Sequence, residues 1–457
     1  MLNSVRIGNV KNNLLSRLNR FKVEMLIGFA LAFISQTQIR FMHVPFGLGE
    51  LILMMLICAS AYVNIRTGAW RDIKKASYKH VYINAFPFIL LFITILSSLV
   101  WISKYQPVNI AYMKHNLASY LFCAFSFVFF LQRTLTLRIV ALSFVFILLA
   151  LLCLEFFMVP STDYFYCGIR LRGLSENPNQ LAFYLLLAPI ILVNAYKMKM
   201  LTPYVFLPLF ILMGFLIYFI HSSAYFVGYF AALVVFLGCL FFYHLNISRA
   251  MKRNISIICI LLLALGLGYV IFQHHTVTPK HGTDASIQKA FSAKSFAIAS
   301  PPSDAPITTT DMTSIGNIKA SSQRPLIDFD SEASVRFQLW TEAIQTVALS
   351  PFIGLGAGAG VLAVGTGNFS EVHNQFLDLS VQSGLIGLLL YLVFLCCILS
   401  PLIRRKENMM PLLMYTTVLV FSFFHFIYRQ PVFWFYLAYI LQITDLPKTN
   451  KKREDKG

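Results

Sequence analysis

Charge is scarce in this chain. Asp, Glu, Lys and Arg make up 12% of 457 residues against 58% hydrophobic side chains, and with a mean hydropathy of +0.69 that mixture excludes a water-soluble globule of this length. Acidic residues are the scarcer kind, 19 against 37 basic ones, for a net charge of +18. The basic residues stand at the ends of apolar runs rather than in a patch with interleaved aromatics, which excludes nucleic acid as the partner. Seven of the eight cysteines (Cys58, Cys123, Cys153, Cys239, Cys259, Cys396 and Cys397) fall inside apolar runs and only Cys167 lies in a polar segment, so no disulfide framework can be read. His274, His275 and His281 have no second ligand set at finger or HExxH spacing, and no metal site is expected. No internal repeat is evident, and no cytoplasmic stretch is long enough to fold alone.

What is present in quantity is apolar and aromatic. Forty-three Phe and 21 Tyr accompany abundant Leu and Ile, a composition for helices that face acyl chains and carry aromatics near the headgroups. A spanning helix needs roughly 20 mostly apolar residues. Runs that meet this lie near 24–38, 46–65, 84–103, 116–132, 139–158, 181–196, 202–220, 223–244, 254–273, 376–402, 410–427 and 432–446. The expected fold is all-α: a polytopic membrane protein of about twelve spans with one large outer loop carrying an amphipathic helix.

Loop charge orients it, because Lys and Arg accumulate on the cytoplasmic side. Arg6, Lys11, Arg17, Arg20 and Lys22 precede the first span, and the connections on the same side carry Arg66, Arg71, Lys74, Lys75, Lys79, Arg133, Arg138, Lys197, Lys199, Arg249, Lys252, Arg253, Arg404, Arg405 and Lys406. The tail adds Lys448, Lys451, Lys452, Arg453 and Lys456. Both termini are therefore expected in the cytoplasm, with the first apolar stretch acting as a signal anchor. The expected organisation is a transmembrane bundle over 1–273, an outer loop over 274–375, further spans over 376–446 and a basic tail over 447–457.

The loop has two parts. From His274 to Asp330 it is rich in Ser, Thr, Ala and Pro without a sustained hydrophobic period, a composition for loose packing. From Ser334 to Leu349, Val335, Leu339, Ala343 and Val347 recur at four-residue spacing, which describes an amphipathic helix stopped at Pro351.

Three polar clusters stand on the outer side. In IRLRGLSENPNQLA, Asn177 followed by Pro178 reads as an N-cap with Pro at the first helical position. Arg170 and Arg172 then sit in a loop facing a helix N-terminus, where an anion between them would relieve repulsion from the dipole; snorkelling to lipid phosphate is the other reading, most of all for Arg172. Arg336 falls in the first turn of the loop helix as read from Ser334, the wrong end for a cation, which again points to an anion or else to a solvated surface Arg. The run after it, Pro351-Phe-Ile-Gly354-Leu-Gly356-Ala-Gly358-Ala-Gly360, follows a helix and is neither a dinucleotide fingerprint nor a P-loop; alone it reads as a flexible turn. Lastly, His373 stands at the outer end of a long helix, where the dipole favours the neutral imidazole that a general base needs; a structural interfacial His is the alternative. Gly384 and Gly387 follow in that helix, where small side chains permit close packing.

In this order the elements resemble the bacterial O-antigen ligase/polymerase family, whose members are similar in carrying Arg-x-x-Gly with Asn-Pro-Asn, then Arg with Trp four residues on and Pro-x-x-Gly-x-Gly, then His-Asn and Gly-x-x-Gly. Here these are Arg170, Gly173, Asn177, Pro178 and Asn179; Arg336, Trp340, Pro351, Gly354 and Gly356; His373, Asn374, Gly384 and Gly387. One element departs: where members carry Ser-Arg-Gly at the outer start of a span, this chain reads HSSAYFVGY, with Ser222, Ser223 and Ala224 in place of the Arg.

The resemblance implies a glycosyltransferase in the bacterial inner membrane, with no cofactor and no metal, whose periplasmic site takes an undecaprenyl-diphosphate-linked oligosaccharide. The acceptor is another lipid-linked repeat in a polymerase or a lipid A core in a ligase, and membrane lipids and a chain-length regulator are the further partners implied. It also implies roles: His373 and Arg336 in catalysis, Arg170, Arg336 and Arg172 on the donor diphosphate, and Asn177, Asn179, Trp340, Gly354, Gly356 and Asn374 in support. Two other classes fit the composition. A transporter or lipid-linked glycan flippase would set ionisable residues within the membrane, with Glu50 and Glu155 as candidates, and a scaffold would need no Arg336 at a dipole-opposed position.

Overall fold

A computed structural model describes residues 20–34, 47–67, 78–104, 107–132, 136–158, 166–167, 170–173, 175, 178–220, 222, 225, 227–231, 234, 238, 329–364, 368–403 and 408–444. Apart from Phe329 these belong to one compact unit, Met1–Leu240 with Asp330–Gly457; the second unit, Phe241–Phe329, otherwise lies outside the described residues, as does the expected span at 254–273.

The described elements are helices with two small hairpins. Helix α1 covers 20–34; α2 Leu48–Thr67, α3 Tyr78–Trp101, α4 Pro107–Phe130 and α5 Leu137–Met158 follow, then β1 Tyr166–Cys167 and β2 Arg170–Leu171. Next come α6 Pro178–Leu185, α7 Ala188–Lys197 and α8 Pro203–Ile220. Beyond the second unit lie Phe329–Leu349 (α9 here), β3 Val361–Val364, β4 Asn368–Glu371, Gln375–Leu402 (α10), Met409–Ser422 (α11) and Pro431–Thr444 (α12). Among the described residues six helices are long and apolar enough to cross a membrane, so the chain is an all-α polytopic membrane protein.

Not every expected span is one full-length continuous helix. The one expected at 181–196 is two helices joined at Leu186 and Leu187, because Pro189 in the first turn of α7 offers no N–H to the turn before it. Helices α11 and α12 are 14 residues each, about 21 Å at 1.5 Å per residue and short of a ~30 Å hydrocarbon core. Eight residues, 423–430, lie between them, and His425, Phe426, Ile427 and Tyr428 there are buried.

Helix α12 is the axis of the packing. Residues Pro431 to Leu441 are buried without interruption, so this helix meets protein on every side. It lies along α4, while α10 lies along α3. Phe127, Phe394 and Trp434 close the centre, with ring centroids of Phe127 and Trp434 4.9 Å apart and Phe394 6.0 Å from each of the other two. In lipid such contacts must hold helices together without a hydrophobic drive between them, and backbone donors at helix starts need partners from the protein. At the start of α5, Thr136 N–H donates to Glu24 Oε1 at 2.7 Å and Leu137 N–H to Gln442 Oε1 at 2.8 Å.

Candidate active site

The candidate site is built around α10. Its centre is a broken helix. Gly384 interrupts α10 with φ 66° and ψ −172°, which frees carbonyls before the break and N–H groups after it. The glycine-rich run takes them up: Leu355 N–H donates to Val381 O at 2.7 Å and Gly356 N–H to Gln382 O at 2.8 Å, while Leu385 and Ile386 donate to Pro351 O and Phe352 O at 2.7 and 3.2 Å. A gap in a helix at membrane depth is tolerable only when protein closes it in this way.

Two expectations are corrected here. The run 351–360 is not a flexible turn but a segment seated in α10, and Gly384 is not a packing glycine but the break itself. Gly354 has φ 73°, and a β-carbon there would lie 2.5 Å from Gly384 N; the contact forces both residues to be glycine. At Gly387 a β-carbon would collide first with the Ser383 side chain of the same helix and lie 3.2 Å from Leu90 of α3.

Remote helices fasten the same run. Ser98 Oγ on α3 accepts from Ala357 N–H at 3.0 Å, Asn116 Nδ2 on α4 donates to Ala357 O at 2.8 Å, and Ser97 Oγ donates to Ile353 O. Asn116 Oδ1 in turn accepts from Arg429 at 3.3 Å. Tyr120 Oη donates to Gln382 Oε1 at 2.6 Å, Gln382 Nε2 donates to Asp378, and Gly360 is so close that a β-carbon would lie 2.6 Å from Asp378 Oδ1. Sequence reasoning missed Ser98, Asn116, Tyr120, Asp378 and Arg429; an acid and an amide inside an apolar helix were the available signal for Asp378 and Gln382.

His373 stands at the lip of this structure. Asn374 caps α10, its Oδ1 accepting from Phe376 and Leu377 N–H at 3.0 and 3.1 Å, so His373 is the residue just outside the cap and two short steps from the first orphan donors. Its φ of 51° is left-handed, an unusual state for a residue with a β-carbon. The β3–β4 hairpin, which pairs Val361 with Glu371 and was not expected from the sequence, delivers the chain to it. Half-buried His373 meets His425 edge to face, with ring centroids 6.0 Å apart and planes at 77°. The loop bearing His425 is tied to α10 by Gln375, whose Oε1 accepts from Ile427 N–H at 3.3 Å.

Helix α9 lies against the same place. Leu339 and Ala343 are fully buried, and Trp340 and Val347 pack with Ala343, Val372 and Val381, the register that four-residue spacing predicts. Its start is corrected, however. The helix begins at Phe329, so Arg336 is its eighth residue and not in the first turn. The first turn thus lies before Arg336, and the dipole argument for Arg336 falls away. Arg336 keeps its place one turn before Trp340, half-buried.

Arg170, Arg172 and Asn179 come from the β1–β2 hairpin and the helix that follows it. Arg170 lies on β2, paired with Cys167, and half-buried Arg172 follows it. Gly173 turns with φ 58° against Glu155, where a β-carbon would lie 2.5 Å from the carboxylate. Pro178 opens α6 as expected, and Asn177 lies outside the described residues. Asn179 Oδ1 accepts from Ser222 Oγ at 3.1 Å, so the Asn-Pro-Asn element touches the segment that lacks the family's Arg. Ser223 and Ala224 lie outside the described residues. Glu50, by contrast, caps its own helix, accepting from Gly47 N–H at 3.0 Å.

Residues 208–392 match the family model for O-antigen ligase. Over that stretch the chain is similar to the O-antigen ligases. No curated protein matches it. The match takes in Ser222, α9, the glycine run and both His373 and the Gly384 break, and it stops short of the Arg170 hairpin and His425. An O-antigen ligase-type protein is a membrane glycosyltransferase working on lipid-linked sugars.

Proposed function

We propose that this chain extends an O-antigen or exopolysaccharide by moving a glycan from undecaprenyl diphosphate to the hydroxyl of another lipid-linked repeat, at a site facing the periplasm. The observation that carries the reading is His373, in a left-handed turn just outside the Asn374 cap and next in sequence to Val372, which packs in the α9 cluster. A base whose backbone is placed in this way suits proton transfer from a positioned hydroxyl. In the step, the acceptor oxygen bonds to the anomeric carbon, its proton goes to the neutral His373 imidazole, and the bond from that carbon to the diphosphate oxygen breaks with its electrons on undecaprenyl diphosphate. Arg336 and Arg170, with Arg172, are the cations for that diphosphate, whose developing charge they stabilise. No step calls for a metal or a nucleotide sugar.

The side follows from charge. The connections that carry Arg66, Arg138, Lys197 and Lys199 lie at the other end of the bundle from His373, and positive residues favour the cytoplasm. The outer loop 274–375 is then periplasmic, with both termini inside.

The acceptor is read from Ser222, Ser223 and Ala224 standing where ligases carry an Arg, and from the long outer loop, which suits guiding a growing chain; a chain-length regulator would act on that loop. The family description favours a second reading, a ligase that joins the glycan to lipid A core. Surface glycan from a deletion strain, run on a gel, separates them. Loss of long polymer, with single repeats left on the core, supports the polymerase; full-length polymer accumulating on undecaprenyl diphosphate makes the protein a ligase.

A further inference from the structure

We infer that His425 is the positioning residue for His373: it holds the base's ring in the orientation that receives the acceptor proton. The inference rests on the reading of His373 as that base.

Three observations support it. First, the backbone at His373 is fixed twice, by the left-handed turn and by the Asn374 cap, but neither fixes the ring. An imidazole needs a second group to set its direction and tautomer. Second, the ring that meets it belongs to a different part of the chain. His425 lies 6.0 Å away, edge to face, a distance for a non-stacked contact in which ring edges approach. Third, His425 is itself immobilised. It is 8% exposed and stacks on Phe421, with centroids 4.8 Å apart and planes at 29°. Its loop is anchored at Ile427 to Gln375, at Tyr428 O to Trp434 Nε1 at 2.8 Å, and at Arg429 to Asn116. The anchor at Gln375 is the second residue after His373, so the segments that carry the two imidazoles are tied by a side-chain hydrogen bond close to both rings.

A buried His between two helices has a purely architectural alternative, in which the ring only fills space over Phe421. The two roles ask for different atoms. Packing needs the ring and not its nitrogens; positioning needs a polar atom and tolerates a change of shape better. His425→Phe and His425→Gln therefore separate them.

The measurement uses the full-length protein in membranes, supplied with the undecaprenyl-diphosphate-linked glycan extracted from the deletion strain, with protein amount followed by immunoblot. His425→Phe should reach the membrane at the normal level and lose ~100-fold in turnover, the scale of a general-base contribution, with the KM for the glycan within about twofold of normal. His425→Gln should recover at least about tenfold over Phe at a comparable level. Near-normal turnover in His425→Phe, or a Gln variant no better than Phe, overturns the inference. His373→Ala is run beside them: if it stays active the base itself is misassigned, whereas an inactive His373→Ala with an active His425→Phe sinks only the role of His425.

Discussion

Gly354 and Gly384 meet backbone to backbone, each with positive φ, where the glycine run enters the gap in α10. Neither position has room for a methyl group. Gly384→Ala should cost about 1–2 kcal/mol for the left-handed backbone and a further ~1–3 for overpacking against Phe352, and Gly354→Ala should cost a similar amount. Thermal unfolding in detergent would read this as a lowered melting temperature and less protein in the membrane. Unchanged stability in both variants would contradict the insertion.

Asn374 has a separable contribution. Asn374→Ala removes the cap from two N–H groups and should cost about 1 kcal/mol, while activity falls further than stability because His373 loses its fixed approach. Asn374→Asp or Asn374→Ser should restore the cap and most of the activity. The check is glycan output normalised to membrane protein, and a dead Asp variant at normal level would count against this account.

Arg336→Lys keeps the charge but not the planar fork that pairs with a diphosphate oxygen set. Most activity should go while the protein still reaches the membrane. Arg336 is no longer supported by a conflict with the helix dipole, so this variant bears the whole weight of its assignment; near-normal glycan would return it to the surface of α9. His373→Gln should be inactive for a different reason, since an amide cannot accept the proton.

Topology has its own test. An impermeant thiol reagent applied to intact cells should label a cysteine placed at position 310 and leave one at 452 unlabelled, as loop charge requires. The opposite pattern would turn the molecule over and remove the periplasmic site.

Much of this was legible in the residues, where the signal is local. The spacing of Leu339 and Ala343 gave the buried face of α9, Pro178 marked the first turn of α6, and His373-Asn374 marked the start of α10. Local signals also misled. Ser334 opens the visible apolar spacing, which hid the helix's first five residues, Phe329 to Ala333, and so put Arg336 in the wrong place. Gly384 in a Gly-x-x-Gly pattern reads as a packing residue, because nothing near it in sequence shows that its lost hydrogen bonds are made good 30 positions upstream. Contacts such as Asn116 with Ala357, or His373 with His425, join elements that periodicity cannot relate.

The seating of the glycine run also fixes its length. Leu355 is opposite Val381 and Leu385 is opposite Pro351, a register as strict as that of paired strands. One residue gained or lost between Ser350 and Gly356 would slide donors past acceptors and leave backbone dipoles facing hydrocarbon. Tolerance to insertion should therefore end abruptly at Pro351, and linker-scanning through this stretch should show intact proteins up to Leu349 and none across the next seven positions.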